Sequence, residues 1–563
     1  MKKNQADRGE TIMRHRSRSG LCSFGVIVLS AFSCAFATAK PLDNGKHVKN
    51  VILMVADGTG VAQWTLARWF NGGGPLAQDE WTCGLLRTYG ANTPLTDSAP
   101  AATAFATGFK SYSGFVGVLP DKASMWGIDP QQGVDAQCRP LVTVLEAARL
   151  SGRATGIVVT CEIPHATPAA FSAHDVQRKD FEAIVKQQVY NGIDVVLGGG
   201  AMYLQPQNRE DGEDLATVLC RKGYRLINSR EEMLGVQSGR VWGLFAEQDL
   251  ANDLDRSAAE PSLAEMTAKA IALLQANKKG FFLMVEGSKI DWAAHDNEPV
   301  GVVSEVLAFN RAVETAIAFA RRDNDTAVIV LSDHGCGGLS IGEREANRLG
   351  ERPGLAALID PLRRARHTAE GVEKRLLAAG DLSAAAIHAR VASEYGVELN
   401  DEELERVQAY FANRHKDQFG LASLIGPILS RAAYLGWTTD GHTGEDVPLA
   451  IFHPHGYRLN GVVQNMAVAW YIDEIMNLKL REWNQVLYLP AMAAFAAKGA
   501  MITIEESTPG NKVLVVRKGR QVLHLPANKN EADLDGRTIT LRSLVVYNGK
   551  AFFVPAEALA LIK

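Results

Sequence analysis

Six short, almost wholly apolar runs constrain this chain more than any other feature. They are NVILMVAD (50–57), ATGIVVTCEI (154–163), DVVLGGG (194–200), GFFLMVEG (280–287), TAVIVLSDH (326–334) and VPLAIFH (447–453). A single run of this length fits a strand or a piece of buried helix. Their β-branched content and bounding glycines favour strands. Continuous apolar strands separated by helical stretches are buried on both faces, which is the pattern of a parallel sheet covered by helices. The expected fold is therefore α/β, a central mostly parallel sheet flanked by helices. Two segments depart from it. Residues 346–430 are rich in Ala, Leu, Arg and Glu at helical spacing and read as a helical insertion. From 484 the chain changes to short runs such as MITIEE, KVLVVRKG and RTITLRSL with Pro-Gly and Asn-Gly turns, a small, mostly β accessory domain. The core is thus expected in two parts, 40–345 and 431–483.

The first 39 residues carry a different message. Arg14, His15, Arg16 and Arg18 precede the apolar run LCSFGVIVLSAFSCAFA, which ends at Ala37-Thr38-Ala39. A basic start, an apolar stretch and a small-x-small site read as a secretory signal. The stretch is too short for a confident membrane span, so the mature chain is expected to be periplasmic or secreted, with no transmembrane segment. Cleavage would remove six Lys/Arg and two Asp/Glu, taking the net charge from −4 to about −8. With no basic stretch interleaved with aromatics, nucleic acid is not an expected partner, and an anionic substrate would need local cations to hold it. Five cysteines remain, Cys83, Cys138, Cys161, Cys220 and Cys336, in no metal-binding CxxC pattern.

Chemistry-bearing residues gather at the carboxyl ends of the apolar runs, where open α/β sheets bind ligands. Asp57 closes the first run, His165 and Thr167 follow the second, Glu286 ends the fourth, and Asp333-His334 close the fifth. Asp291 and His295 have i, i+4 spacing, which puts both on one helix face. His442 lies just before the sixth run. Carboxylates and imidazoles together suit zinc, and carboxylates with a hydroxyl suit magnesium. The stretch TDSAPAATAFATG (96–108) adds a serine, Ser98, at the expected start of a small-residue helix. Ser and Asp are frequent N-caps and Pro is tolerated in the first turn, so the plain reading is a capped helix. The chemical reading is a nucleophile where free backbone N–H groups favour an anion.

These motifs resemble the alkaline phosphatase family of metal-dependent phosphomonoesterases. VILMVADGTG, TDSAPAATAFATG, TGIVVTCEIPHATPAAFSAHDVQR, FFLMVEGSKIDWAAHDN, VIVLSDHG and DGHTGEDVPL follow one another in the family's order, over roughly 48–345 and 432–478. The resemblance implies Asp291, His295 and His442 as ligands of one zinc. It implies Asp57, Asp333 and His334, with the Ser98 oxygen, as ligands of a second. Asp57, Thr167 and Glu286, with His165, would form a third site, usually for Mg²⁺. It further implies a phosphoserine intermediate on Ser98, Arg178 as the phosphate-gripping group, small phosphate monoesters as substrates, and often a homodimer.

Three residues depart from the family pattern. Pro100 replaces a smaller residue after Asp-Ser-Ala, and Trp292 stands where some relatives carry Lys or His. His165 offers nitrogen where some members have a carboxylate, which makes Zn²⁺ or Co²⁺ plausible in the third site. The competing readings are a phosphodiesterase or sulfatase on the same scaffold, a cofactor-independent phosphoglycerate mutase, and a phosphate- or metal-binding protein without turnover. No C/S-x-P-x-R context surrounds Ser98, which argues against a sulfatase. Glu286 and Thr167 favour monoesters over diesters.

Overall fold

A computed structural model of the chain describes residues 45–563, apart from 127, 129–133, 345, 347–351 and 415–419. The secretory-signal reading of residues 1–39 falls outside the described residues. Described residues from Gly45 onward form one compact unit.

Its frame is a ten-stranded sheet. In chain order the strands are β1 (Asn50–Ala56), β2 (Thr82–Arg87), β3 (Ala154–Glu162), β4 (Val195–Gly199), β5 (Tyr224–Ile227), β6 (Arg240–Leu244), β7 (Phe281–Gly287) and β8 (Thr326–Ser332). Two small ribbons follow, from β9 (Gly335–Cys336), β10 (Ser340–Ile341), β11 (Leu435–Gly436) and β12 (His442–Thr443); then come β13 (Val447–Phe452) and β14 (Gly461–Gln464). The sheet order is β14-β2-β13-β8-β1-β7-β3-β4-β6-β5. Within it β13 alone runs antiparallel to its neighbours, β2 and β8.

The central strands are continuous in apolar residues because both faces are covered. Along β1, Val51, Leu53 and Val55 join one core cluster while Ile52, Met54 and Ala56 join the other. On β7, Phe282 and Met284 face the first and Phe281, Leu283 and Val285 the second. All six apolar runs are strands. Four sheet strands, β2, β5, β6 and β14, were not expected from the sequence; β2 and β14 carry exposed or half-buried residues that blur their pattern.

Among the described residues between 355 and 432 the elements are helices, including Leu355–Arg363, Ala369–Ala379, Asp401–Asn413 and Ala422–Ala432. They have a core of their own, including Leu362, Leu376, Tyr395 and Leu429, seated on Leu66, Val300 and Val303. A seven-stranded antiparallel sheet occupies residues 489–554. Its strand Arg537–Tyr547 faces two ways: Val545 joins that sheet's own core, Leu544 and Val546 the main one. The turn after this strand reaches into the large unit. The Val176 N–H donates to the Asn548 carbonyl at 3.2 Å. The Asn548 amide donates to the Gln137 and Cys138 carbonyls at 2.9 and 2.6 Å. Lys550 pairs with Asp121 at 2.9 Å. Among the described residues no helix is long and apolar enough to cross a membrane.

Candidate active site

Parallel strands deliver their carboxyl ends to one edge, and the polar residues collect there. Asp57 leaves β1, Glu286 lies near the end of β7, and Asp333-His334 leave β8; all are buried. The helix Lys289–His295 begins just beyond β7 and carries Asp291 and His295 one turn apart. His442 arrives on β12, which pairs with β9 so that His442 stands opposite Cys336. Gly58 is held at a φ of +64°, and any side chain there would collide with Asp291.

Three groups of ligand-bearing atoms result. Asp57, Asp333 and His334 form one, Asp291, His295, His442 and Cys336 a second, and Glu286, His165 and Cys161 a third. The expected site residues therefore meet, and two thiols join them. Cys336 follows the Asp-His pair by two positions and Cys161 ends the apolar part of β3. Only strand register and ribbon pairing reveal that either faces the site. Burial raises the pKa of both thiols, Glu286 adding to the effect at Cys161 and Asp291 at Cys336.

Three histidines are oriented by the backbone. His295, His334 and His442 turn Nδ1 towards the carbonyls of Asp440, Gly335 and Thr96. That arrangement favours a proton on Nδ1 and aims Nε2 inward, as metal-ligating imidazoles are commonly set. His295 Nε2 lies 3.1 Å from His442 Nε2 and 3.3 Å from Asp291 Oδ2. His334 Nε2 lies 3.3 Å from Asp333 Oδ2 and 3.5 Å from Asp57 Oδ1.

Among these carboxylates only Asp291 has a clear counter-charge, His295. Both oxygens of Asp57, Asp291 Oδ1, Asp333 Oδ2 and Glu286 Oε1 are buried without hydrogen-bond partners, and so is the Thr167 hydroxyl. Burial, with Asp333, Asp291 and Glu286 nearby, raises Asp57 well above the usual carboxylate range. Burial and the Asp333 charge push Glu286 up to about 7. Burial alone would raise Asp291, but its hydrogen bond to His295 and the surrounding imidazoles hold it low. Burial opposes protonation of His295, yet Asp291 prevails and pushes it up to about 9. Burial and neighbouring imidazoles press His442 down to about 3. Uncompensated buried acids are costly, and oxygen and nitrogen donors at these spacings suit divalent cations.

A pH dependence follows. His295, with a raised folded-state pKa, stabilises the metal-free fold below about 6.5 and loses that contribution as pH rises towards 9. Glu286 acts in the same direction but at lower pH, losing its contribution between about 4.5 and about 7, so the loss above neutrality comes chiefly from His295. Metal-stripped protein should thus lose stability between pH 6.5 and 9, on the order of 1–2 kcal/mol after discounting the exposure of His295. Metal-loaded protein should not. Thermal melts with and without chelator at both pH values check this; equal slopes would contradict it.

Ser98 is 2% exposed and opens the helix Ser98–Thr107. The capped-helix expectation is corrected here. Asp97 is the N-cap residue, but its side chain makes no capping bond. Instead Asp97 Oδ2 accepts the Gly114 N–H and lies 3.5 Å from Arg178 Nη1. The helix start is left with free N–H groups, and Ser98 Oγ points to His334 Nε2 at 3.2 Å. Arg178 Nη2 donates to His165 Nε2 at 3.2 Å. His165 also meets Trp292 edge-on, and burial together with the Arg178 charge holds it down to about 3. Arg178 therefore stands between the third group and the helix of Ser98.

Buried acids and imidazoles grouped around a hydroxyl define a metal-dependent hydrolase. The family model described as alkaline phosphatase matches residues 48–478. Alkaline phosphatase 3 of Bacillus subtilis is 36% identical over 80% of this chain and 94% of its own length. A cold-active alkaline phosphatase from a psychrophilic Shewanella superposes with a TM-score of 0.64 at 32% identity, covering 76% of this chain and 99% of that one. The Thermus thermophilus alkaline phosphatase gives 0.66 at 27% identity, over 80% and 96%. This chain belongs to the alkaline phosphatase family and is a metal-dependent phosphomonoester hydrolase.

Proposed function

We propose that the enzyme hydrolyses small phosphate monoesters through a phosphoserine on Ser98. The observation that carries this is the position of the Ser98 hydroxyl, buried at an uncapped helix start beside His334 and the unpartnered carboxylates. Asp291, His295 and His442 would hold one zinc, and Asp57, Asp333 and His334, with Ser98 Oγ, a second. Glu286, Thr167, Asp57 and His165 would hold the third cation, of Mg²⁺ type with Zn²⁺ or Co²⁺ as substitutes. Bound there, such cations neutralise the buried acids and lower the pKa of nearby hydroxyl groups.

The chain's own residues do the rest. The free N–H groups at the helix start favour the anionic phosphoryl group. Arg178, braced by Asp97 and His165, presents its fork to two nonbridging oxygens. Ser98 Oγ attacks phosphorus as its proton passes to solvent, and the departing oxygen takes up a proton from solvent and leaves as the alcohol on the opposite side. Water then displaces Ser98 Oγ from phosphorus, releasing phosphate. Acid-quenched enzyme digested for mass spectrometry should carry one phosphoryl group on the peptide containing Ser98. Net inversion of configuration at the phosphorus of an isotopically chiral phosphate monoester, in place of the retention that two successive displacements give, would contradict the covalent route.

We also read the chain as exported, on the basic-then-apolar pattern of residues 1–39, and as a homodimer, on the family resemblance alone. His165 tests the third site. His165→Asp restores an oxygen ligand and should shift maximal activation towards Mg²⁺ and away from Zn²⁺ or Co²⁺. Stripped protein reconstituted with each ion gives the profile; identical profiles for both proteins would remove His165 from the ligand set.

A further inference from the structure

A second concave site lies at the opposite end of the sheet's strands. It is a cavity of about 660 Å³ between the amino ends of the strands and the C-terminal sheet. Arg153 immediately precedes β3, Asp194 precedes β4, and Arg240 opens β6; these strands run parallel, so the cavity is at the end remote from Ser98. Asn530, Glu531 and Thr540 close it from the C-terminal side.

Its charge is out of balance. Arg149, Arg153, Arg221, Lys222 and Arg240 line it, against only Asp194 and Glu531. Two ion pairs account for both acids: Lys222 with Glu531 at 3.6 Å and Arg240 with Asp194 at 3.4 Å. Arg149, Arg153 and Arg221 form no ion pair among the described residues. Arg149 donates only to the Arg542 carbonyl, and its Nε is buried without a partner. Arg153 donates to the Lys49 carbonyl, the Ser151 hydroxyl and the Met476 carbonyl, neutral acceptors that leave its charge uncompensated. Burial lowers the pKa of Arg149, Arg153 and Lys222, and at Arg149 and Lys222 it outweighs the nearby acids Glu146 and Glu531. Arg149 helps attach the C-terminal sheet through the Arg542 carbonyl, but attachment of that sheet does not account for Arg153 and Arg221, which add unpaired positive charge in a protein whose net charge is negative.

We propose that this cavity binds a multiply charged phosphate anion, a di- or triphosphate group, at a site separate from the catalytic one. Planar guanidinium forks match phosphoryl oxygens, and one monophosphate would leave much of the volume and charge unused. The same chemistry can come from free polyphosphate or from a nucleoside polyphosphate.

Metal-loaded enzyme is titrated calorimetrically with methylenediphosphonate, and in a second arm with adenosine 5′-methylenediphosphonate; neither bridge can be hydrolysed. Wild type should bind two equivalents, one at the catalytic site and one here. Arg153→Gln/Arg221→Gln should weaken the second equivalent about tenfold or more, with monoester turnover within about twofold of wild type. Arg221 is exposed, so Arg221→Gln alone preserves the fold and should still weaken that equivalent several-fold. Equal second-site binding of both probes identifies the phosphate group as sufficient, and binding of the adenosine form alone identifies a nucleotide as the source. A single equivalent in wild type, or two unaltered equivalents in the variants, would overturn the proposal.

Discussion

Ser98→Ala should cost roughly 10³-fold or more in turnover of a phosphate monoester while leaving the fold and metal content intact. Intact folding is expected from the local geometry. The Ser98 side chain caps nothing, and its hydroxyl instead addresses His334 at 3.2 Å. Alanine is a good helix former with no polar atom to bury. The loss should therefore appear in kcat, with little change in thermal stability. Some hydrolysis should survive, because Arg178 and the ligand groups still bind and orient the ester and water can attack directly. The variant should also lose transfer of the phosphoryl group to added alcohols, which requires the covalent adduct. Wild-type turnover by Ser98→Ala would sink the nucleophile assignment outright.

Arg178→Ala should cost on the order of 2–4 kcal/mol of transition-state stabilisation, or roughly 30- to 1000-fold in kcat/KM. A guanidinium fork acts most strongly on a group with two free anionic oxygens. A diester offers less charge, so its already slow hydrolysis should suffer less. Arg178→Lys should recover part of the loss, since it keeps the charge but not the fork. Parallel assays on a monoester and a diester of the same leaving alcohol measure the difference. Equal losses would show that Arg178 does not contact the phosphoryl oxygens. The variant also removes the donor to His165 Nε2, so the metal-activation profile should be recorded alongside.

The catalytic edge was readable in the sequence because parallel strands impose a simple rule. A residue at the carboxyl end of a buried run has one place to go, and Asp57, Glu286, Asp333 and His334 all go there. The i, i+4 pair Asp291 and His295 needed only helix geometry. His442 was visible through the motif around it, although its approach on a ribbon opposite Cys336 was not. What escaped depended on the other side of a contact. Asp97 is a favoured N-cap residue, but Gly114 and Arg178 compete for its carboxylate and win. β2 and β14 escaped because partly exposed strands need not be continuously apolar. The cationic cavity escaped because its arginines come from helix ends, strand starts and loops far apart in the chain.

The turn Asn548–Lys550 gives the last residues of the chain an unexpected importance. The Asn548 carbonyl holds the Val176 N–H, two positions before Arg178, and the Arg178 N–H is held in turn by the Gly114 carbonyl. The phosphate-facing arginine thus stands on a strip of backbone clamped from both sides, one of them supplied by the C-terminal sheet. Residues beyond 483 supply no group of the three ligand clusters, yet they provide half the footing of that arginine. Peptide tags or display anchors fused near residue 549 would press on the same footing, so fusions are better placed beyond Lys563.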